Sequence, residues 1–198
     1  MSIILGLTGS IGMGKSTTTG FFRDAGIPVW DADAAVHALY AQGGAAVAPI
    51  AALHSPAAID QGIDRAALRD WIAKDPTALK KIEGVVHPLV AQDRAAFIIR
   101  NETAPLVVLD IPLLFEGGGG AACDATLVVS APAEIQRQRV LERPGMTEAH
   151  FQTILSKQMP DADKRHRATY VIETTSLEQT RADVLALIDR LTGSQNHA

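Results

Sequence analysis

The chain has one cysteine, Cys123, in 198 residues. No intramolecular disulfide can form, and a cysteine-rich metal site is excluded. Aromatic residues are scarce at 5% against 47% hydrophobic residues, so a core of useful size must be built from Val, Ile, Leu and Ala. Excess positive charge is also lacking. A net charge of −4 argues against a broad nucleic-acid or anionic-membrane surface. The longest apolar stretch, around 104–115, is too short to span a bilayer and contains Asp110. The N-terminus runs into an apolar strand pattern with no basic segment before it, which argues against a signal peptide. These absences describe a soluble cytoplasmic protein. Positive charge is concentrated, however: Arg137, Arg139, Arg143, Lys157, Lys164, Arg165 and Arg167 all fall in one short stretch. A local basic patch on an acidic chain suits a small anionic ligand better than a polymer.

Apolar runs at Ile3 to Leu7, Leu106 to Leu109, Thr126 to Val129 and Tyr170 to Ile172 read as buried strands, with Ile27 to Trp30 as a fifth. Near-continuous apolar strands alternating with helical segments predict an α/β fold with an open, mostly parallel sheet. Residues 34–104 contain no good strand pattern. Asp64 precedes a helical pattern from Arg65 to Ala73, and two more follow, Pro76 to Val86 and Pro88 to Arg100. This predicts a helical insertion between the second and third strands. Thr147 caps a helix over about 148–158. Ser176 with Gln179 forms a capping box ahead of the stripe Val184, Leu187, Ile188 and Leu191. Ser194 to Ala198 reads as a frayed tail.

The strongest motif is Gly9-Ser10-Ile11-Gly12-Met13-Gly14-Lys15-Ser16, which fits G-x-x-x-x-G-K-[ST] at every fixed position. A strand precedes it and a helix follows, so successive N–H groups and the helix N-terminus can cradle phosphate oxygens. Lys15 would neutralise the β- and γ-phosphates, and the Ser16 hydroxyl would ligate Mg²⁺.

Several carboxylates in the chain could do chemistry beside this loop. Asp31 and Asp33 follow the second strand, at the end where a parallel sheet receives its ligand. Either could orient an acceptor hydroxyl, or cap the helix that follows. Asp110 ends Leu106-Val107-Val108-Leu109 in the Walker-B manner, supporting Mg²⁺ directly or through water. Glu116 lies on the next loop, ahead of four glycines, which form a binding loop or a flexible connection. Arg139 and Arg143 are spaced to share one helix face. They serve either as a solvated surface or as charge stabilisers for a transferring phosphoryl group. Pro144 should end that helix near Arg143.

Taken together, Gly6 to Ser16, Asp31-Ala32-Asp33, His87-Pro88, Asp110-Ile111-Pro112-Leu113-Leu114-Phe115-Glu116, Gln136 to Arg143, Gln158 and Lys164-Arg165 make a specific set. The chain resembles the dephospho-CoA kinases over roughly residues 3–190. That resemblance implies a P-loop fold like that of the nucleoside monophosphate kinases: a three-layer α/β sandwich on a five-stranded parallel sheet. It implies a core of about 1–33, 104–135 and 168–198, a helical acceptor-binding insertion over about 34–103, and a lid over about 136–167. It implies transfer of the γ-phosphoryl of ATP, with Mg²⁺, to the ribose 3′-hydroxyl of dephospho-CoA. By position, Asp33 would be the base, and Lys15 and Arg143 would stabilise the phosphoryl group. Gly9, Ile11, Gly12, Met13, Gly14, Lys15, Ser16, Thr17 and Arg139 would bind ATP. Thr8, Asp31, Asp33, His87, Leu113, Phe115 and Glu116 would bind the acceptor, and Ser16 and Asp110 would serve the metal. Two departures stand out: Glu173-Thr174-Thr175 where the family often has Asn, and the run Gly117 to Gly120. Another kinase of the same fold is the nearest alternative. A GTPase-type switch would carry Asn-Lys-x-Asp, which is absent from the sequence.

Overall fold

The computed structural model describes residues 2–193; the tail read as frayed lies outside them. In chain order the strands are β1 (Ile3–Thr8), β2 (Val29–Asp31), β3 (Ala58–Ile59), β4 (Gly62–Ile63), β5 (Leu106–Asp110), β6 (Ala125–Ser130) and β7 (Tyr170–Glu173). The helices are α1 (Lys15–Asp24), α2 (Ala32–Tyr40), α3 (Val47–Leu53), α4 (Arg65–Lys74), α5 (Ala78–Arg100), α6 (Ala133–Leu141), α7 (Glu148–Leu155), α8 (Asp161–Arg167) and α9 (Leu177–Gly193). The chain divides into two compact units: one comprises the segments up to Trp30 and from Asn101 onward, the other Asp31–Arg100. The segment 136–167 belongs to the first, whereas Asp31 and Asp33 belong to the second.

The first unit is built on a five-stranded parallel sheet in the order β2-β5-β1-β6-β7. β1 pairs in parallel with β5 and β6, and β6 with β7. Every residue of β5 and β6 is buried, as expected of strands covered on both faces. The core joins Leu5, Leu7, Leu106, Val108, Leu127 and Val129 of the sheet to Phe22 of α1 and Val184, Leu187 and Leu191 of α9. The chain leaves β1 toward β5 and β2 on one side, while β6 and β7 lie on the other. This makes the carboxyl end of β1 a switch point, where open α/β sheets bind ligands. The predicted cap of α9 is half formed. Ser176 Oγ accepts from the Gln179 N–H at 3.1 Å, but the Gln179 side chain donates to Asp183.

The second unit has its own core of Ile50, Leu68, Trp71, Ile82 and Val86, with His54 stacked on Trp71 at 4.5 Å. Two expectations fail here. A short antiparallel hairpin, β3–β4, sits where no strand was expected. Its turn residues Asp60 and Gln61 both have positive φ, 50° and 62°. That turn conformation ordinarily signals itself with Asn-Gly or Asp-Gly. The two helices expected on either side of His87-Pro88 are one helix, α5, with Pro88 inside it. Ile82 and Val86 before the proline and Leu89 and Val90 after it all pack on the same core, so tertiary burial outweighs the local break. α3 and α8 were not anticipated, and the helix expected over 148–158 stops at Leu155.

Candidate active site

The P-loop leaves β1 and turns into α1 through two left-handed glycines, Gly12 (φ 77°) and Gly14 (φ 83°). Both also lack room for a side chain. A Cβ on Gly12 would lie 2.6 Å from Val140 Cγ2, and one on Gly14 would lie 2.8 Å from Thr174 Oγ1. Gly14 occupies the N-cap of α1 with no side-chain capping bond. The first-turn N–H groups at Lys15, Ser16 and Thr17 therefore have no intrahelical acceptor and face outward with the positive end of the helix dipole. Ser16 and Thr17 are exposed. An anion is the ligand this arrangement accepts.

Lys15 Nζ lies 2.5 Å from Asp110 Oδ1. The second oxygen of Asp110 accepts from the Thr19 hydroxyl at 2.7 Å. Asp110 is 2% exposed, and both its oxygens are thus engaged. Two elements 95 residues apart in the chain, the helix after β1 and the tip of β5, therefore meet on one carboxylate. Oxygen donors at Ser16 and Asp110 are hard ligands of the type Mg²⁺ takes. No group of three or more acidic, His or Cys side chains among the described residues forms a dedicated metal cage. Such a donor set suits a metal that arrives with phosphate and keeps several waters.

The loop is braced from behind. Ala131 N–H donates to Met13 Sδ, and Thr174 Oγ1 donates to the Met13 carbonyl at 3.0 Å. Gln136 Nε2 donates to the Ile11 carbonyl at 2.8 Å, and the Ile11 N–H donates to Gln158 Oε1 at 3.1 Å. Thr19, Gln136, Gln158 and Thr174 complete the phosphate loop, yet none has an assigned role from spacing alone. Thr174 stands at the departure noted after β7, and its position directly behind Gly14 explains why a small β-branched residue fits there.

Arg139 lies on α6, with its guanidinium donating to Thr174 Oγ1 and to the Thr174 carbonyl. Arg143 does not share its helix face. α6 ends at Leu141, and Arg143 is exposed in the turn that follows, where Gly145 takes a positive φ of 75°. The helix thus stops two residues before Arg143, ahead of the Pro144-Gly145 pair.

At the end of β1, Thr8 is fully buried and its hydroxyl donates to the Pro112 carbonyl at 2.9 Å. It fastens the loop after β5 and does not face solvent. Leu113 is 47% exposed whereas Leu114 is buried. Glu116 Oε1 accepts from the Met159 N–H at 2.8 Å and lies 3.0 Å from Lys164 Nζ. Partial burial pushes the Glu116 carboxyl upward. The Met159 amide, its own amide and the Lys164 ammonium together outweigh this and hold it below the ordinary glutamate range. Gly117 and Gly119 N–H groups bond back to Leu113 and Leu114 carbonyls, so the glycine run begins as a folded turn.

The remaining candidates lie in the second unit. Asp31 is the N-cap of α2 and accepts from the Ala34 N–H at 2.9 Å. Asp33 is exposed in the first turn of that helix, and His87 is exposed on α5. The structure thus brings together the P-loop, Asp110, Arg139 and the loop bearing Glu116 in the first unit, and Asp31 and Asp33 at one helix start in the second.

Comparison with known proteins gives a consistent result. The family model for dephospho-CoA kinase matches residues 3–179. A dephospho-CoA kinase from Jannaschia sp. strain CCS1 is 64% identical over 192 residues, covering 97% of this chain and 98% of the relative. Among solved structures, a Thermus thermophilus protein is 39% identical with a TM-score of 0.79, covering 94% of this chain and 98% of that one. A dephospho-CoA kinase from Campylobacter jejuni, at 22% identity, shares the fold with a TM-score of 0.74, covering 98% of this chain and 100% of that one.

Proposed function

The chain belongs to the dephospho-CoA kinase family and is a kinase that transfers phosphate to an alcohol; we propose the roles its own residues take as ATP phosphorylates the ribose 3′-hydroxyl of dephospho-CoA. The products are coenzyme A and ADP, and the reaction is the last step of coenzyme A biosynthesis. The observation that carries the residue assignment is the uncapped start of α1 behind two left-handed glycines, with Lys15 held on Asp110 beside it.

The backbone N–H groups of Met13 to Thr17 bind the ATP phosphates, with Gly9, Ile11 and Gly12 shaping the loop. Lys15 exchanges its contact with Asp110 for the β- and γ-phosphate oxygens. Mg²⁺ would be held by the Ser16 hydroxyl, with Asp110 supporting it through water. When bound, the metal would supply positive charge against the charge that develops on the phosphates. Thr19 keeps the Asp110 carboxylate oriented once Lys15 has left it. Arg139, anchored on Thr174, lies on the ATP side. Arg143 supplies positive charge to the phosphoryl group in transfer, and its place in an exposed turn leaves it free to reach a ligand.

For the acceptor, Asp33 accepts the proton of the ribose hydroxyl. Asp33 stands in the first turn of α2, where the helix dipole favours an acidic side chain. Asp31 caps the same helix and so sets where Asp33 points. In the first unit Thr8, Leu113, Phe115 and Glu116 serve the acceptor, with Thr8 acting through the Pro112 carbonyl; in the second unit His87 does. Residues 136–167 act as the lid. We place the enzyme in the cytoplasm, where ATP is regenerated; no helix among the described residues is long and apolar enough to cross a membrane.

An ADP-release assay with ATP, Mg²⁺ and a panel of acceptors tests the reading. Acceptor-dependent turnover with dephospho-CoA, and little with AMP or GMP, is expected. Turnover with a nucleoside monophosphate and none with dephospho-CoA contradicts it.

A further inference from the structure

The seven residues from Gln158 to Lys164 join two loops that the sheet itself leaves separate. Gln158, in the bend after α7, holds the Ile11 N–H of the P-loop at 3.1 Å. Its neighbour Met159 donates its own N–H to Glu116 at 2.8 Å. One helical turn into α8, Lys164 places its ammonium 3.0 Å from the same Glu116 oxygen. The start of α8 is pinned to the tip of β6, because Ser130 Oγ bonds Asp161 Oδ2 at 2.6 Å. The P-loop end is doubly held, since Gln136 takes the Ile11 carbonyl from the other side.

Lys164 is the unusual member. Its side chain is 0% exposed, and its ammonium makes no well-aligned hydrogen bond among the described residues. An ion pair whose lysine end is fully buried is a weak source of stability, because desolvation of the ammonium offsets much of the attraction. Its better-attested use is to specify one arrangement over others. Here the arrangement specified is that of the loop carrying Leu113 to Glu116.

We propose that Gln158 and Lys164 are positioning residues, the two ends of a tie that holds the acceptor-side loop in register with the P-loop during phosphoryl transfer. The proposal rests on the reading of residues 113–116 as acceptor-side. Neither residue needs to touch a reacting atom. Gln158 acts through the Ile11 peptide and Lys164 through Glu116. Small misplacement of bound reactants is costly in rate, so breaking the tie lowers kcat more than it weakens either substrate.

Three proteins test this, Gln158→Leu, Lys164→Gln and the double variant, each checked for folding by thermal unfolding. Lys164→Gln removes the charge and shortens the side chain by one bond, so the ion pair with Glu116 is lost while a polar group remains. If the two residues form one tie, cutting either end suffices. Each single variant then loses kcat by up to about 10²-fold with smaller changes in KM for either substrate, and the double variant is no slower than the slower single. Independent roles predict losses that multiply. Multiplying losses, or wild-type kcat in folded Gln158→Leu, overturn the proposal. Hydrogen exchange supplies a readout that needs no substrate. Gln158→Leu is expected to speed exchange at Gly117 and Gly119, whose N–H groups residue 158 does not touch, and unchanged exchange there overturns the tie. If the wild-type protein fails to turn over dephospho-CoA, the acceptor assignment fails, and exchange alone then decides the tie.

Discussion

At the scale of single residues, the site divides charge between groups that must move and groups that must not. Lys15 sits on one oxygen of Asp110, while Thr19 keeps the other; in the proposed reaction only the first contact is exchanged. Asp33 and Arg143 are both exposed and are free to meet a ligand. Asp33→Asn is expected to leave ATP affinity nearly intact and to lower kcat by about 10²-fold or more, the usual cost of losing a general base. Near-normal turnover would remove Asp33 from that role. Arg143→Ala is expected to slow transfer by about 10³-fold, and an effect on KM alone would assign it to ground-state binding. Glu116 gives a pH signature. Its folded pKa lies below the ordinary value of 4.5, so its contribution to stability is present above that pH. It is lost as pH falls from there through the folded value. The Tm difference between the native protein and Glu116→Gln should therefore shrink below about pH 4.5. A difference that stays constant into acid would mean that Glu116 is not held as described.

At the scale of elements, local rules worked where backbone chemistry decides and failed where packing decides. The P-loop was legible because Gly12 and Gly14 must be glycine for both φ and space, and because Lys15 and Ser16 follow at fixed offsets. Asp31 was legible as a cap and Asp110 as a strand end. Thr174, Gln136 and Thr19 carry no local signal. Their roles arise only when β7, α6 and β5 are folded against the loop. Arg143 was misplaced on α6 because periodicity cannot tell whether a helix survives the last residue before Pro144. The hairpin β3–β4 was missed because Asp60-Gln61 is an uncommon pair for its turn. Pro88 misled in the opposite direction. It interrupts α5 without ending it, at a cost of about 3 kcal/mol in a helix interior. Pro88→Ala is therefore expected to raise stability by up to that amount and to raise Tm measurably in thermal unfolding. A lower Tm would show that the proline is accommodated without strain.

At the scale of the whole molecule, each of the two units has its own mainly aliphatic core, with Phe22 in the first and Trp71 in the second, and the scarcity of aromatic residues is met by β-branched and leucine packing in the sheet. The α/β class and the five sheet strands followed from apolar runs, of which β5 and β6 are buried throughout. The order of those strands did not, since periodicity is silent about which neighbour a strand chooses. That order matters for function, because it puts the P-loop at the switch point between β5 and β6. The central claim is that the phosphoryl group of ATP ends on the ribose 3′-hydroxyl of dephospho-CoA. Phosphorus NMR of the product, with coupling to the ribose protons, reads this directly. A new phosphomonoester coupled to the 3′ proton is the predicted result, and a phosphate at the 2′ position, or no new ester at all, would contradict it.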